Sequence, residues 1–346
     1  MAAAIGNIDQ WQYTARCQSS GLSLDWTTAD NSHQADARHR AVEIMIMVQP
    51  LIVVVILNTN RCADTLECLA SLRQSSYPNV RTIVLDNHST DGSVEAIQSA
   101  YPTVQIIRLT ENQGYAGNNN VGIAAAIDQG AEWVFVLNED TILHRDCLTF
   151  LTNVGEGSER IGIVGPMVYH HDEPQVIQSA GGQLNRYWNG SHYGQNEPDQ
   201  GQFAYPRQVQ WISGCGILVH RAVVEQVGML DPRFFYYWEE TEWCVRASKA
   251  GWQIVHVPQA KLWHKGVQVN YRPKPSVTYY ATRNRLLMMA KHHAPTIAWV
   301  QAWTQLLRTL TSWSIKPKWR AMHEHRNAMW RGLVDFLYGR WGQMPS

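Results

Sequence analysis

The sequence is poor in several things, and each shortage excludes something. There are six cysteines in 346 residues (Cys17, Cys62, Cys68, Cys147, Cys215, Cys244), with no C-x-x-C pair and no zinc spacing. Neither a disulfide framework nor a zinc module is expected, and the chain reads as reduced and cytoplasmic. No run reaches the roughly 18 to 20 apolar residues that span a bilayer. The nearest, Ile44 to Leu57, is interrupted by Gln49 and Pro50. A basic region followed by an apolar core is missing from the N-terminus, so no secretory signal is expected. Neither charge is in excess, with 29 basic against 29 acidic residues, and whole-protein electrostatics predicts no nucleic-acid partner. The loop Gly114-Tyr-Ala-Gly117 is not a G-x-G-x-x-G fingerprint, and no G-x-x-x-x-G-K-[ST] loop occurs. A dinucleotide site and an NTPase phosphate loop are therefore unsupported.

What is present is a chain 45% apolar, long enough for a sizeable core. Residues 1–48 are polar and without periodicity, and are expected to form a flexible extension. Met45 and Met47 lie just before the first strong strand, and a later start at either is an expectation that N-terminal sequencing would check. Leu51 to Leu57 is β-branched and apolar throughout, the pattern of a strand buried on both faces. Leu66, Leu69 and Leu72 then recur at helical spacing, and Tyr77-Pro78-Asn79 ends that helix. Further strands are expected at Val80–Leu85, Val104–Leu109 and Trp133–Leu137. Helices are expected from Ser93 to about Ala100 and from the 111–117 loop to about Gln129. Strands alternating with helices imply an α/β class with a doubly wound, mostly parallel sheet.

The second half is less regular. Ile161–Val164 and Ile254–Val257 read as short strands and His170–Arg207 as a long loop or hairpin region. Val209–Val219 reads as strand, glycine turn, strand, Tyr236–Ala250 as a helix, and Ser276–His292 as another. After Pro295, Trp299, Trp303, Leu306, Leu310 and Trp313 form one apolar stripe. Trp319, Met322, Met329, Leu333 and Phe336 form a second. From Lys291 onward eight basic residues face two acidic ones, and six of the 15 tryptophans fall there. Basic, tryptophan-bearing amphipathic helices suit either a membrane surface or packing on the main domain.

Chemistry concentrates at strand ends, where open α/β sheets bind ligands. Asn58, Asp86-Asn87 and Asn138-Glu139-Asp140 close three expected strands on one rim. A carboxylate there suits a hard divalent cation (Mg2+ or Mn2+) that bridges a diphosphate, with Asp140 the first choice and Glu139 beside it. Asp86 suits a pyrimidine N–H or ribose hydroxyls, with Asn58, Asn87 and Asn112 as companions. The acids Glu239, Glu240 and Glu242 open an expected helix, where they suit the helix dipole. The aromatics around them form a wall that shields a carboxylate and raises its pKa, as a general base requires.

Eight stretches in order carry a family resemblance. They are Val54–Arg61, Val84–Ser93, Glu111–Gly122, Leu137–Thr141, Trp211–Gly216, Phe235–Ala247, His264–Gly266 and Tyr280–Arg285. Over about Leu51 to His292 the chain resembles inverting GT-A-fold glycosyltransferases of family 2 type, a large bacterial family that includes rhamnosyltransferases of cell-surface polysaccharide synthesis. The resemblance implies a GT-A domain over 49–293, with a nucleotide-binding half (49–145), an acceptor-binding half (146–293), and an amphipathic helical segment at 294–346. It implies nucleotide-sugar contacts at Asn58, Asn60, Arg61, Asp86, Asn87, Asn112, Gly114, Asn118 and Asn138. It places metal ligands at Asp140 and His264, the base at Glu240 with Glu239 beside it, and acceptor contacts at Trp211, Gly214, Trp238 and Arg283. The family usually has Asp where Glu240 stands, one methylene shorter. The implied donor is a dTDP- or UDP-sugar, dTDP-rhamnose leading, and the acceptor a glycan or lipid-linked saccharide at the cytoplasmic membrane face. The rival readings are a sugar nucleotidyltransferase, which needs a basic triphosphate loop where only Arg61 stands, and a non-catalytic nucleotide-sugar binder.

Overall fold

The structure is a computed structural model and describes residues 49–345; the expectations for residues 1–48 lie outside the described residues. Its elements alternate from the start: β1 (Ile52–Asn58), α1 (Cys62–Arg73), β2 (Val80–Asp86), α2 (Ser93–Ala100), β3 (Gln105–Arg108), α3 (Gly114–Asp128) and β4 (Trp133–Asn138). The continuous apolar run of β1 is used on both faces. Ile52, Val54 and Ile56 pack with Leu69 and Leu72 of α1, while Val53 and Val55 pack with Ile123 and Ala126 of α3. Helix α3 comes so close to the sheet that a Cβ at Gly122 would sit 2.3 Å from Val55 Cγ1.

β1 pairs in parallel with β2 and β4, and β2 with β3. The order β3-β2-β1-β4 reverses direction at β1, which opens a crevice at the carboxyl ends. Register brings the polar ends together: Asn58 pairs with Asp86, and Leu57 with Asn138.

The chain then forms β5 (Thr141–Leu143), α4 (Cys147–Gly155) and β6 (Ile161–His170). The short strands β7 (Val176–Ser179), β8 (Gly182–Leu184), β9 (Gly190–His192), β10 (Glu197–Pro198) and β11 (Arg207–Gln208) follow. After them come β12 (Gly216–His220), α5 (Arg221–Val227), a 3-10 turn (Pro232–Phe234), α6 (Glu239–Lys249), β13 (Gln253–His264), α7 (Pro275–Lys291), α8 (Thr296–Ile315), a second 3-10 turn (Pro317–Met322) and α9 (His323–Leu337).

Several expectations are corrected here. β6 and β13 are 10 and 12 residues long, far beyond the short strands expected. Pro166 and Pro258 hide their length in the sequence, yet both strands run on, with the pairing shifted between Val257 and Lys261. The 170–207 stretch is loop interspersed with short strands and holds a hairpin, β8–β9, as the loop-or-hairpin reading allows. Of the strand, glycine turn and strand read over Val209–Val219, the second strand forms as β12, which inserts antiparallel between β4 and β6, while the first is reduced to a single bridge at Trp211. Helix α6 begins at Glu239, not Tyr236, because the residues before it turn left-handed.

Candidate active site

The β5–β13 ladder sets His264 opposite Thr141. It thereby brings a histidine from more than a hundred residues downstream against Asp140. His264 Nε2 lies 3.2 Å from Asp140 Oδ1, and its Nδ1 meets the Gln178 amide at 3.1 Å. Asp140 Oδ1 is buried and makes no hydrogen bond of ordinary geometry. Burial pulls the Asp140 carboxyl upward, but His264 and Arg61 outweigh it and hold it below its ordinary value. Burial, and then the neighbouring Asp140 charge, push Glu139 up to about 7. A side chain at Gly266 would put its Cβ 2.5 Å from Asp140 Oδ2, so glycine keeps this oxygen accessible.

An orphaned carboxylate oxygen beside an imidazole nitrogen fits a divalent cation. Among the described residues no three His, Cys, Asp or Glu side chains converge. The chain would offer at most these two side chains to such an ion, leaving its other positions to non-protein oxygens, as is usual for hard cations.

These residues line a cavity of about 400 Å³. Arg61, Asn87, Asn112, Gly114, Asn118 and Asn138 also line it, and Phe235, Tyr236, Tyr237 and Tyr271 close it. Asn87 donates to Thr59 Oγ1 at 3.1 Å while its own Oδ1 is buried without a partner. Gly114 has φ +72, and a Cβ there would clash with the Phe235 carbonyl at 2.3 Å, so only glycine fits the approach.

The segment before α6 is strained. Phe235, Tyr237 and Trp238 have φ of 62, 69 and 77, a region costly for residues other than glycine. Two neighbours on α7 hold it. Asn284 Nδ2 lies within hydrogen-bonding reach of the Phe234, Tyr236 and Tyr237 carbonyls at 2.7, 2.8 and 2.8 Å. Arg283 donates to the Arg233 and Phe234 carbonyls at 3.2 and 3.0 Å. Helix α6 itself is pinned by Glu242, which is buried against Arg246, Lys291 and His292.

The turn aims Glu240 into a second cavity of about 250 Å³, lined also by Trp211, Trp238, Gly190, Ser191 and His192. Trp211 meets the His192 ring edge-on at 4.6 Å. Tyr237 lines both cavities. Burial raises both Glu239 and Glu240, and the repulsion between the adjacent carboxylates raises Glu239 further. Glu239 lines neither cavity, and its buried Oε2 has no partner.

Five of the expected contact residues line neither cavity. Arg283 is 0% exposed and does not reach the second cavity. Its guanidinium is consumed by carbonyls, by Tyr279 Oη at 3.1 Å and by Asn284 Oδ1 at 2.9 Å, so it clamps the loop that presents Glu240. Asn58 is fully buried and lines no cavity: it donates to Ser89 Oγ and Asp86 Oδ1, and accepts from Thr65 Oγ1 and the Arg61 amide. It braces the rim. Asn60 is exposed, with φ 52, and its Oδ1 accepts from the Thr90 amide at 2.7 Å. Asp86 lies just behind the cavity wall, accepting from Asn58 and from the Ser89 amide. Gly214 is packed between the two cavities, and its carbonyl accepts from Tyr115 Oη. Sequence reasoning missed Gln178, His192 and Tyr271. Gln178 and His192 fall in the stretch read as loop, and Tyr271 follows the His264–Gly266 motif without a pattern of its own.

Comparison with known proteins agrees with this geometry. Glycosyl transferase family 2 matches residues 53–228. The chain is 29% identical over 246 residues to the N-acetylglucosaminyl-diphospho-decaprenol L-rhamnosyltransferase of Mycobacterium tuberculosis, covering 65% of this chain and 80% of that protein. It is 25% identical over 235 residues to the dTDP-rhamnosyl transferase RfbF of Shigella flexneri, covering 65% and 76%. Among solved structures, the mannosyltransferase PcManGT from Pyrobaculum calidifontis in complex with GDP-Man and Mn2+ aligns with a TM-score of 0.55 at 14% identity, over 89% of this chain and 98% of that one. S. aureus TarS in complex with UDP-GlcNAc aligns with a TM-score of 0.55 at 14% identity, over 83% and 80%. At that identity the structural likeness speaks for the fold.

Proposed function

The chain belongs to glycosyl transferase family 2 and is a glycosyltransferase of GT-A fold, and we propose that it transfers a sugar with inversion from a pyrimidine nucleotide sugar to a hydroxyl of a glycan or lipid-linked saccharide. Dependence on a divalent metal and a cytoplasmic site of reaction are part of this reading. The names of two similar proteins, both rhamnosyltransferases and one naming dTDP, support dTDP-rhamnose as the leading donor and surface-polysaccharide synthesis as the setting.

One observation carries the reading. Two cavities adjoin at Tyr237, one holding the orphaned Asp140 oxygen and the other Glu240. A displacement needs this division, with the leaving group on one side of the sugar and the base on the other. Asp140 and His264 would hold Mg2+ or Mn2+, which when bound neutralises the charge that develops on the leaving diphosphate. Asn87, Asn112 and Asn118 orient the nucleoside from the rim, and Arg61 adds positive charge near the phosphates. Trp211 and Trp238 offer flat apolar faces to the acceptor sugar. Glu240 takes the proton of the acceptor hydroxyl as its oxygen bonds to the anomeric carbon, and the bond to the diphosphate breaks on the opposite face. The phenol wall excludes water, which would otherwise hydrolyse the donor.

The test is a panel of nucleotide sugars incubated with saccharide acceptors and Mg2+ or Mn2+, read as nucleoside diphosphate release. Release from a dTDP- or UDP-sugar is expected. No release from any donor contradicts the reading. In the same panel Asp140→Ala loses metal-dependent donor binding, and equal affinity with and without Mn2+ removes the metal assignment.

A further inference from the structure

We propose that the outer face of α8, with the 3-10 turn that follows it, is a docking surface for an anionic lipid bilayer. The helix already has the inner face a packed helix needs. Ala298, Ala302 and Leu306 are buried with Leu286 and Met289 of α7 and Leu333 of α9. The opposite side of a surface helix is normally polar. Here Ile297, Val300, Leu307 and Ile315 share that side, and Leu307 and Ile315 are 69% and 71% exposed. The helix contains no acid, and its only charged residue is Arg308. Trp299, Leu306 and Leu310 of the sequence stripe serve that packing, Trp303 stays 40% exposed, and a second apolar face is left over.

Charge says what covers that face. Arg308, Lys316, Lys318 and Arg320 stand along or just beyond it, all exposed. Among the described residues none of the four sits in an ion pair. Of the two acids after Lys291, Asp335 is buried against Tyr279 and Arg340, which leaves Glu324. A groove of about 680 Å³ runs beside α8, with Arg308 and Lys316 among residues such as Val300, Trp313 and Trp319. Apolar side chains flanked by basic ones and indole rings match the boundary between acyl chains and anionic headgroups. A second copy of the chain fits worse, because it would bring the same positive charge against itself. Among the described residues no helix is long and apolar enough to cross a membrane, so α8 would lie in the interfacial plane.

The surface is also tied to the acceptor cavity. Arg285 donates to Gln301 on α8 at 2.8 Å and to the Tyr187 and Trp188 carbonyls at 2.9 and 3.2 Å. Those carbonyls belong to the turn of the β8–β9 hairpin, whose second strand, Gly190–His192, lines the Glu240 cavity. Docking would hold that cavity at a fixed height over the bilayer. This last step rests on the acceptor reading above; the docking itself does not.

Vesicle flotation of the full chain, without donor or acceptor, is the test, so its outcome is independent of turnover. The protein is expected to float with phosphatidylcholine vesicles containing phosphatidylglycerol, to stay behind with phosphatidylcholine alone, and to be released by salt. Reversing Lys316, Lys318 and Arg320 to Glu lowers the bound fraction at least tenfold, since each basic residue near such a surface contributes about fivefold. Leu307→Asp with Ile315→Asp acts likewise, with melting temperature and nucleotide binding unchanged because both side chains are already exposed. The proposal is overturned if wild-type protein ignores anionic vesicles, or if the charge-reversal variant floats like wild type. It is equally overturned if Leu307→Asp converts an oligomer to monomer in sedimentation, which would make the face a self-association surface.

Discussion

Two neighbouring glutamates face very different surroundings, and the difference supports the separate roles proposed for them. Glu240 reaches the second cavity; Glu239 is enclosed beside it with an unpartnered oxygen. Burial raises both carboxyls, and at this spacing they titrate as a pair. A base works only when deprotonated, so activity appears as pH rises through the raised value. The acid limb of kcat/KM is expected above the ordinary glutamate value of 4.5; a pH profile whose limb lies at or below it removes the buried pair from the reaction. The metal side has a comparable detail. Gln178 meets Nδ1 of His264, which leaves Nε2 turned toward Asp140. Partners of this kind orient a ligand imidazole.

At the scale of elements, the segment 235–238 and the helix α7 that holds it explain how Glu240, the proposed base, is presented at the start of α6 directly after a left-handed turn. Strained backbone persists only where its surroundings over-determine it. Asn284→Asp exchanges a donating amide for a carboxylate facing three carbonyls. It should cost roughly 2 to 3 kcal/mol of stability, the cost of unsatisfied buried polar groups, and lower kcat by at least about tenfold through misplacement of Glu240. Melting and steady-state kinetics check both effects. Normal kcat in a folded variant would show that the turn needs no clamp. Arg283→Lys separates the clamp from an acceptor contact: a clamp lowers stability and kcat together, whereas an acceptor contact raises acceptor KM alone. Glu242 anchors the other side of α6. Burial works against its charge, but His292, Arg246 and Lys291 prevail and lower it to about 2 from 4.5. Because the folded value is depressed, its stabilisation is full above about 4.5 and is lost as pH falls toward about 2. Glu242→Gln should be less stable than wild type by roughly 3 kcal/mol at neutral pH, and the gap should close across that acid window in denaturant titrations.

At the scale of the molecule, the first half was legible because its signals are local. β1 to β4 are apolar runs that end in polar residues, and the register that joins Asn58 to Asp86 follows from parallel pairing. The second half was not, because its strands cross prolines and pair with partners far along the chain: β13 meets β6, β5 and β11. The site shows the same divide. Asp140, His264 and Glu240 sit in motifs and line the two cavities, whereas Asn58 and Arg283 also sit in motifs yet are buried braces, a distinction that only their hydrogen bonds reveal. His192 and Gln178 carry no local signal at all. The central claim is that Glu240 supplies the base of a site whose donor half lies elsewhere. The most direct measurement compares Glu240→Gln with wild type for donor affinity in Mn2+ and for turnover. The account predicts donor affinity within about twofold and turnover reduced at least about a hundredfold; near-normal turnover, or loss of donor binding along with activity, would contradict it.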